Sequence, residues 1–92
     1  MSVKNVQAIL SGKVQGVGFR YYATHVAESY GVVGTVRNLP EGRVEAIAEG
    51  DERELSQFVA ELQRGPRAAE VRDVQIAWGE PTGQFNHFES IS

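Results

Sequence analysis

The sequence predicts an α+β fold: an antiparallel four-stranded sheet, covered on one face by two helices and extended by a short fifth strand near the C-terminal end. Two observations predict it. Apolar residues recur at helical spacing in two separate stretches, and around these lie stretches that alternate or are rich in β-branched residues, in the order β-α-β-β-α-β. The 92 residues suffice for one two-layered core and not for two, so 1–92 reads as a single domain.

Val6, Ala8 and Leu10 alternate with Gln7 and Ile9, which is the period of a strand. A glycine-rich run from Ser11 then leads into a helix over Phe19 to Tyr30. Tyr22, Ala23, Val26, Ala27 and Tyr30 share one side of it, opposite Thr24, His25, Glu28 and Ser29, and Gly31 stops it. Val32 to Leu39 is a β-branched second strand, Pro40-Glu41-Gly42 turns the chain, and Val44, Ala46 and Ala48 alternate with Glu45, Ile47 and Glu49 to complete a hairpin. Asp51 caps a second helix, with Glu54 placed for a capping box and Leu55, Phe58, Val59 and Leu62 as its buried stripe, and Gly65-Pro66 ends it. Ala68 to Gly79 carries the alternating Val74, Ile76 and Trp78. The tail from Gln84 to Ile91, with Phe85, Phe88 and Ile91, supplies a last edge strand.

This order is the split βαβ, or ferredoxin-like, plan. Right-handed crossovers make the first two strands parallel with the third between them, in strand order 4-1-3-2. The loop leaving strand one and the end of strand two then share one edge of the sheet, about 10 Å apart, so Arg37, Asn38 and the turn after them face the glycine-rich run. Strands two and four form the edges, where charges such as Arg72 and Asp73 discourage pairing between chains, so a monomer is expected.

Composition excludes several function classes. No apolar run approaches the roughly 18 residues of a membrane helix, and Met1 to Asn5 lacks a signal peptide's apolar stretch, so a cytoplasmic protein without a membrane partner is expected. The absence of cysteine removes disulfides, thiolate metal sites and a cysteine nucleophile. A net charge of −3 argues against a nucleic-acid partner. Between Ser11 and Arg43, however, four basic residues outnumber two acidic ones, which gives the glycine-rich run a positive local field.

That run has the makings of an anion site. Three glycines in seven residues let successive N–H groups converge, the first turn of the following helix adds unpaired amides, and Arg20 adds a planar fork of donors. No Gly-Lys-Ser/Thr closes it, so it is not a nucleotide-triphosphate loop. A plain strand-to-helix turn is the alternative reading at this point.

Gly12-Lys13-Val14-Gln15-Gly16-Val17-Gly18-Phe19-Arg20, followed by Gly34-Thr35-Val36-Arg37-Asn38-Leu39-Pro40-Glu41-Gly42-Arg43-Val44-Glu45 and Gly50, closely resembles both signatures of the acylphosphatase family, and the likeness runs from about Val6 to Ile91. The resemblance implies hydrolysis of acyl phosphates to a carboxylate and inorganic phosphate, without metal or cofactor. It implies that Arg20 binds phosphate, that the amides of Gln15, Gly16, Val17, Gly18 and Phe19 cradle it with Arg20, and that Asn38 positions the attacking water. Two positions depart from the family pattern. Thr35 stands where an aromatic residue is usual and by strand parity points away from Asn38's face, and Ser11 stands where a basic residue or histidine is common, which bears on substrate preference.

The remaining candidates have plainer readings. His25 and His87 read as surface or hydrogen-bonded side chains and not as metal ligands. Glu45 and Glu49 read as a solvated strand face, not a catalytic pair; Tyr21, Tyr22 and Tyr30 lie in the first helix, and the two on its apolar side, Tyr22 and Tyr30, read as core. The rival function is a non-catalytic anion-sensing or partner-binding module on the same fold. The presence of both Arg20 and Asn38 favours the enzyme.

Overall fold

A computed structural model describes residues 2–92. Its elements are β1 (Val3–Lys13), α1 (Phe19–Tyr30), β2 (Val33–Asn38), β3 (Val44–Asp51), α2 (Glu52–Arg64), β4 (Glu70–Gly79) and β5 (Phe88–Ser90), with a short helical turn at Pro40–Gly42. The sheet order is β4-β1-β3-β2-β5, so the predicted 4-1-3-2 core is present.

Pairing is antiparallel for β1 with β3, β1 with β4 and β2 with β3, which makes β1 and β2 parallel to one another with β3 between them. The fifth strand corrects the expectation of a purely antiparallel sheet with β2 at an edge. β5 runs parallel to β2, opposite Gly34 to Val36, and the bonds from Gly34 N to His87 O and from Ile91 N to Val36 O secure it. The sheet is therefore mixed, and its edges are β4 and β5.

One face of the sheet makes the core. Val6, Ala8 and Leu10 of β1, Val44, Ala46 and Ala48 of β3 and Val36 of β2 are buried with Ala23, Val26 and Ala27 of α1 and with the predicted stripe of α2. Phe88 closes this core from β5, edge-on to Phe58 at a centroid distance of 5.5 Å. Tyr22 bridges the helices by donating from its hydroxyl to Glu61 O (2.9 Å) and Glu61 Oε1 (3.3 Å); burial, then the Glu61 carboxylate, push that hydroxyl's pKa up. Asp51 caps α2 by accepting from Arg53 N at 3.0 Å, one residue short of the Glu54 amide that a capping box would use. On β4, Val74, Ile76 and Trp78 register with Leu10, Ala8 and Val6 and so share the core's face, yet Ile76 and Trp78 remain exposed at this edge strand.

The opposite face corrects the expectation of solvated glutamates. Glu45 and Glu49 are only 7% and 4% exposed. Glu45 accepts from Arg37 Nε and Gln7 Nε2, both at 2.8 Å. Glu49 accepts from Asn5 Nδ2 (2.7 Å), Thr82 N (2.7 Å), Thr82 Oγ1 (2.9 Å) and Gly83 N (3.0 Å), so it holds down the segment that carries the chain from β4 across to β5. Strand parity identified which residues share this face. It carried no information about what crosses it.

Burial alone would raise the Glu49 pKa, but the bonds from Asn5, Thr82 and Gly83 outweigh it and hold the carboxyl below its ordinary value. A folded-state pKa below the unfolded one contributes stability that is present above the unfolded value and is lost as pH falls through the folded one. We therefore expect Glu49→Ala to lose about 1.5–3 kcal/mol at pH 7, because buried donors are left without an acceptor. In urea titrations over a pH series, the gap between wild type and variant should narrow on acidification below the ordinary carboxylate range. A gap that widens instead would show that Glu49 does not hold the segment as a carboxylate.

Candidate active site

The amides of the glycine-rich run stay free because of how α1 begins. Gly18 occupies its N-cap position at φ 79° and ψ 20°, in the left-handed region, and has no side chain to cap the first turn. The first helical bond runs from Tyr22 N to Gly18 O, and among the described residues no backbone N–H from Gln15 to Tyr21 donates to a carbonyl or a side chain. Gly16 is also left-handed, at φ 72°, and open space lies where side chains would stand at both glycines. Upstream of these two glycines the β1–β4 register shifts between Ser11 and Gly12, with Arg72 the extra residue on β4.

These residues border a cleft of about 600 Å³ at the end of the sheet. Val14, Gly16, Gly18, Phe19 and Arg20 line it from the loop and the first turn of α1, and Asn38 lines it from the end of β2. Tyr21 and Thr24 add the next turn of α1, while Phe88, Glu89 and Ser90 close the far side from β5. Arg20 is exposed, and among the described residues its guanidinium makes no ion pair. The cleft thus combines free N–H groups and an unpaired guanidinium with a carboxamide across from them. Such a set holds a tetrahedral oxyanion and one water.

Of the predicted site residues, Gly16, Gly18, Phe19, Arg20 and Asn38 meet in this cleft; Gln15 and Val17 do not line it. Val17 packs against the core. The Gln15 side chain reaches away to the turn after β2, donating from Nε2 to Leu39 O (2.9 Å) and Arg43 O (2.8 Å). Arg37 corrects the expectation that it faces the loop. It lies on the other face of β2, bonded to Glu45, while Asn38 shares the helix-facing side with Val36. The unbroken β2–β3 register likewise puts Thr35 on the face away from Asn38.

Three contributors escaped sequence reasoning. Tyr21 falls off the apolar stripe of α1; it is 80% exposed and lines the cleft, a place the helical wheel by itself does not give. The tail reads as an edge strand in sequence, but its parallel pairing with β2, which brings Phe88 to Ser90 to the cleft, leaves no local pattern. The Gln15 side chain was hidden behind its backbone role. His87 and Glu89 pair at 2.9 Å on the exposed side of β5.

A family model described as Acylphosphatase matches residues 6–90. An acylphosphatase from Acaryochloris marina is 49% identical over 86 residues, covering 94% of this chain and 91% of the relative. One from Thermus thermophilus is 46% identical over 76 residues, covering 83% and 86%. Among solved structures, the crystal structure of acylphosphatase from Bacillus subtilis superposes with a TM-score of 0.93 at 32% identity, covering 97% of this chain and 99% of that one.

The left-handed Gly18 gives this loop a direct test. Gly18→Ala should cost about 1–2 kcal/mol of stability, because a Cβ disfavours that conformation, and should weaken inorganic phosphate binding as the loop relaxes. Chemical denaturation and isothermal titration check both parts. Unchanged phosphate affinity in the variant would separate loop conformation from anion binding.

Proposed function

The chain belongs to the acylphosphatase family, and from that membership we propose that it hydrolyses acyl phosphates at this cleft, with Arg20 and the free amides holding the phosphoryl group and Asn38 orienting the water. Water adds to phosphorus as the bond from phosphorus to the acyl oxygen breaks. The products are a carboxylate, inorganic phosphate and a proton. The observation that carries the reading is the meeting, in one cleft, of the unpaired Arg20 guanidinium and the free N–H groups of the loop with Asn38 across from them.

The chemistry suits so sparse a site. The leaving group is the anion of an acid of pKa about 4–5, so it departs at neutral pH without a general acid. Phosphoryl transfer through a loose transition state asks chiefly for positioning and for charge on the equatorial oxygens. Arg20 and the amides supply that charge. Asn38 offers one acceptor for a proton of the water and donors for a phosphate oxygen, and as a neutral amide it is not a base at pH 7. The proton passes late, to the phosphate or to solvent. Tyr21, Thr24 and Ser90 also line the cleft and are the candidates for contact with the acyl group.

A monomeric cytoplasmic enzyme with no nucleic-acid partner belongs to the same reading, supported by the cysteine-free sequence, its net charge of −3 and the charged Arg72 and Asp73 on edge strand β4.

The test is hydrolysis of benzoyl phosphate in EDTA. Wild type should turn over, Arg20→Ala should lose both turnover and phosphate inhibition, and Asn38→Ala should lose about 100-fold or more in kcat while still being inhibited by phosphate. The wild-type kcat should be flat in pH around neutrality. An essential group titrating near pH 7 in kcat would count against late proton transfer, and phosphate binding without turnover would indicate the anion-sensing module.

A further inference from the structure

We propose that the Gln15 side chain is a latch that fixes Asn38 against the phosphate loop, so that one carboxamide keeps the two halves of the site in register. The inference rests on the reading of Asn38 given above. Gln15 lies inside the glycine-rich run, just before Gly16, and both of its bonds go to the turn that follows β2, 24 and 28 residues away in sequence. Leu39 is the residue immediately after Asn38. Both partners are carbonyl oxygens, which only accept, so the NH₂ end of the amide must face them and each of its two N–H groups is used.

The turn needs such a hold. Leu39 N donates to Arg43 O at 2.8 Å, so with Gln15 that carbonyl accepts two bonds, one from each side of the site. Inside the turn Glu41 sits at φ 68°, a conformation that a residue with a Cβ rarely adopts. The loop on the other side has left-handed glycines at Gly16 and Gly18 and can shift at little conformational cost. Two compliant segments meet here. An amide joining them sets the distance between the phosphate donors and the end of β2 that carries Asn38. Gln15 is therefore a positioning residue: it touches neither phosphate nor water with its side chain and acts through Asn38.

The experiment compares wild type, Gln15→Met, Asn38→Ala and the double variant with benzoyl phosphate, using inorganic phosphate as the competing probe. Methionine keeps the shape and removes both donors. The latch predicts a fall in kcat of about 10- to 100-fold in Gln15→Met, the scale of a misplaced reactant, with phosphate inhibition within about twofold of wild type. It further predicts that Gln15→Met adds nothing in the Asn38→Ala background, whereas a merely structural role would multiply the two losses. If Gln15→Met does not fold, Gln15→Asn makes the same comparison, since its shorter stem falls short of the carbonyls. In the wild type itself, the Gln15 side-chain amide protons should exchange slowly by NMR.

Near-normal kcat in folded Gln15→Met, multiplying losses, weakened phosphate inhibition with unchanged kcat, or fast exchange of the wild-type amide would each overturn the latch. Near-normal kcat in Asn38→Ala would remove the water-positioning reading and the latch with it. Near-normal kcat in Gln15→Met beside a crippled Asn38→Ala removes the latch alone.

Discussion

The site depends on β3 running between β1 and β2. Because β3 is antiparallel to both, β1 and β2 point the same way and end on the same side of the sheet, two inter-strand steps of about 4.8 Å apart. The glycine-rich run leaves one of these ends and Asn38 stands at the other. The gap between them is wide enough for a phosphoryl group and a water. The short turn between β2 and β3 thereby becomes part of the site, and its hold on Gln15 matters as much as the strands that deliver it.

The two faces of the sheet solve different problems. The helix-covered face is apolar and holds the strands in layers, with Phe58 against Phe88 tying β5 into the core. The other face is polar but not open. Glu45 joins β1 to β2 through Gln7 and Arg37, and Glu49 joins β1 to the segment between β4 and β5. These carboxylates are buried with their acceptors filled, which is the condition under which a buried charge is tolerated. Their placement has a use at the other face. By holding the crossing segment, Glu49 helps carry the chain to β5, and Phe88, Glu89 and Ser90 of β5 line the cleft along with Arg20.

The sparseness of the cleft follows from its chemistry. An acyl phosphate needs neither a metal to ionise water nor an acid to protonate its leaving group, so donors and geometry are enough. Arg20 is kept out of the ion pairs that engage Arg37, Arg64 and Arg72, leaving its donors available to an anion. With so few groups at work, catalytic power depends on their separation more than on their number.

What the sequence determined by itself is whatever rests on local periodicity and local turn chemistry. The helix over Phe19–Tyr30 and the buried stripe of α2 came from spacing, and the 4-1-3-2 order came from crossover handedness applied to the element sequence. A tight glycine curl leading into α1 was legible in the run itself, and Arg20 and Asn38 were singled out by motif and put at one edge of the sheet by topology. What only the tertiary structure decided are the contacts between residues far apart in the chain. Glu45 and Glu49 alternate like a solvated face, and they are buried because Gln7, Arg37, Thr82 and Gly83 arrive from elsewhere. β5 is too short to carry a pattern, and its parallel pairing with β2 was set by the route of the segment that Glu49 holds. Gln15 reads in sequence as one more residue of a loop, and its two bonds span 24 and 28 positions. Periodicity reports which side a residue faces, and a hydrogen bond requires knowing what else comes to that side.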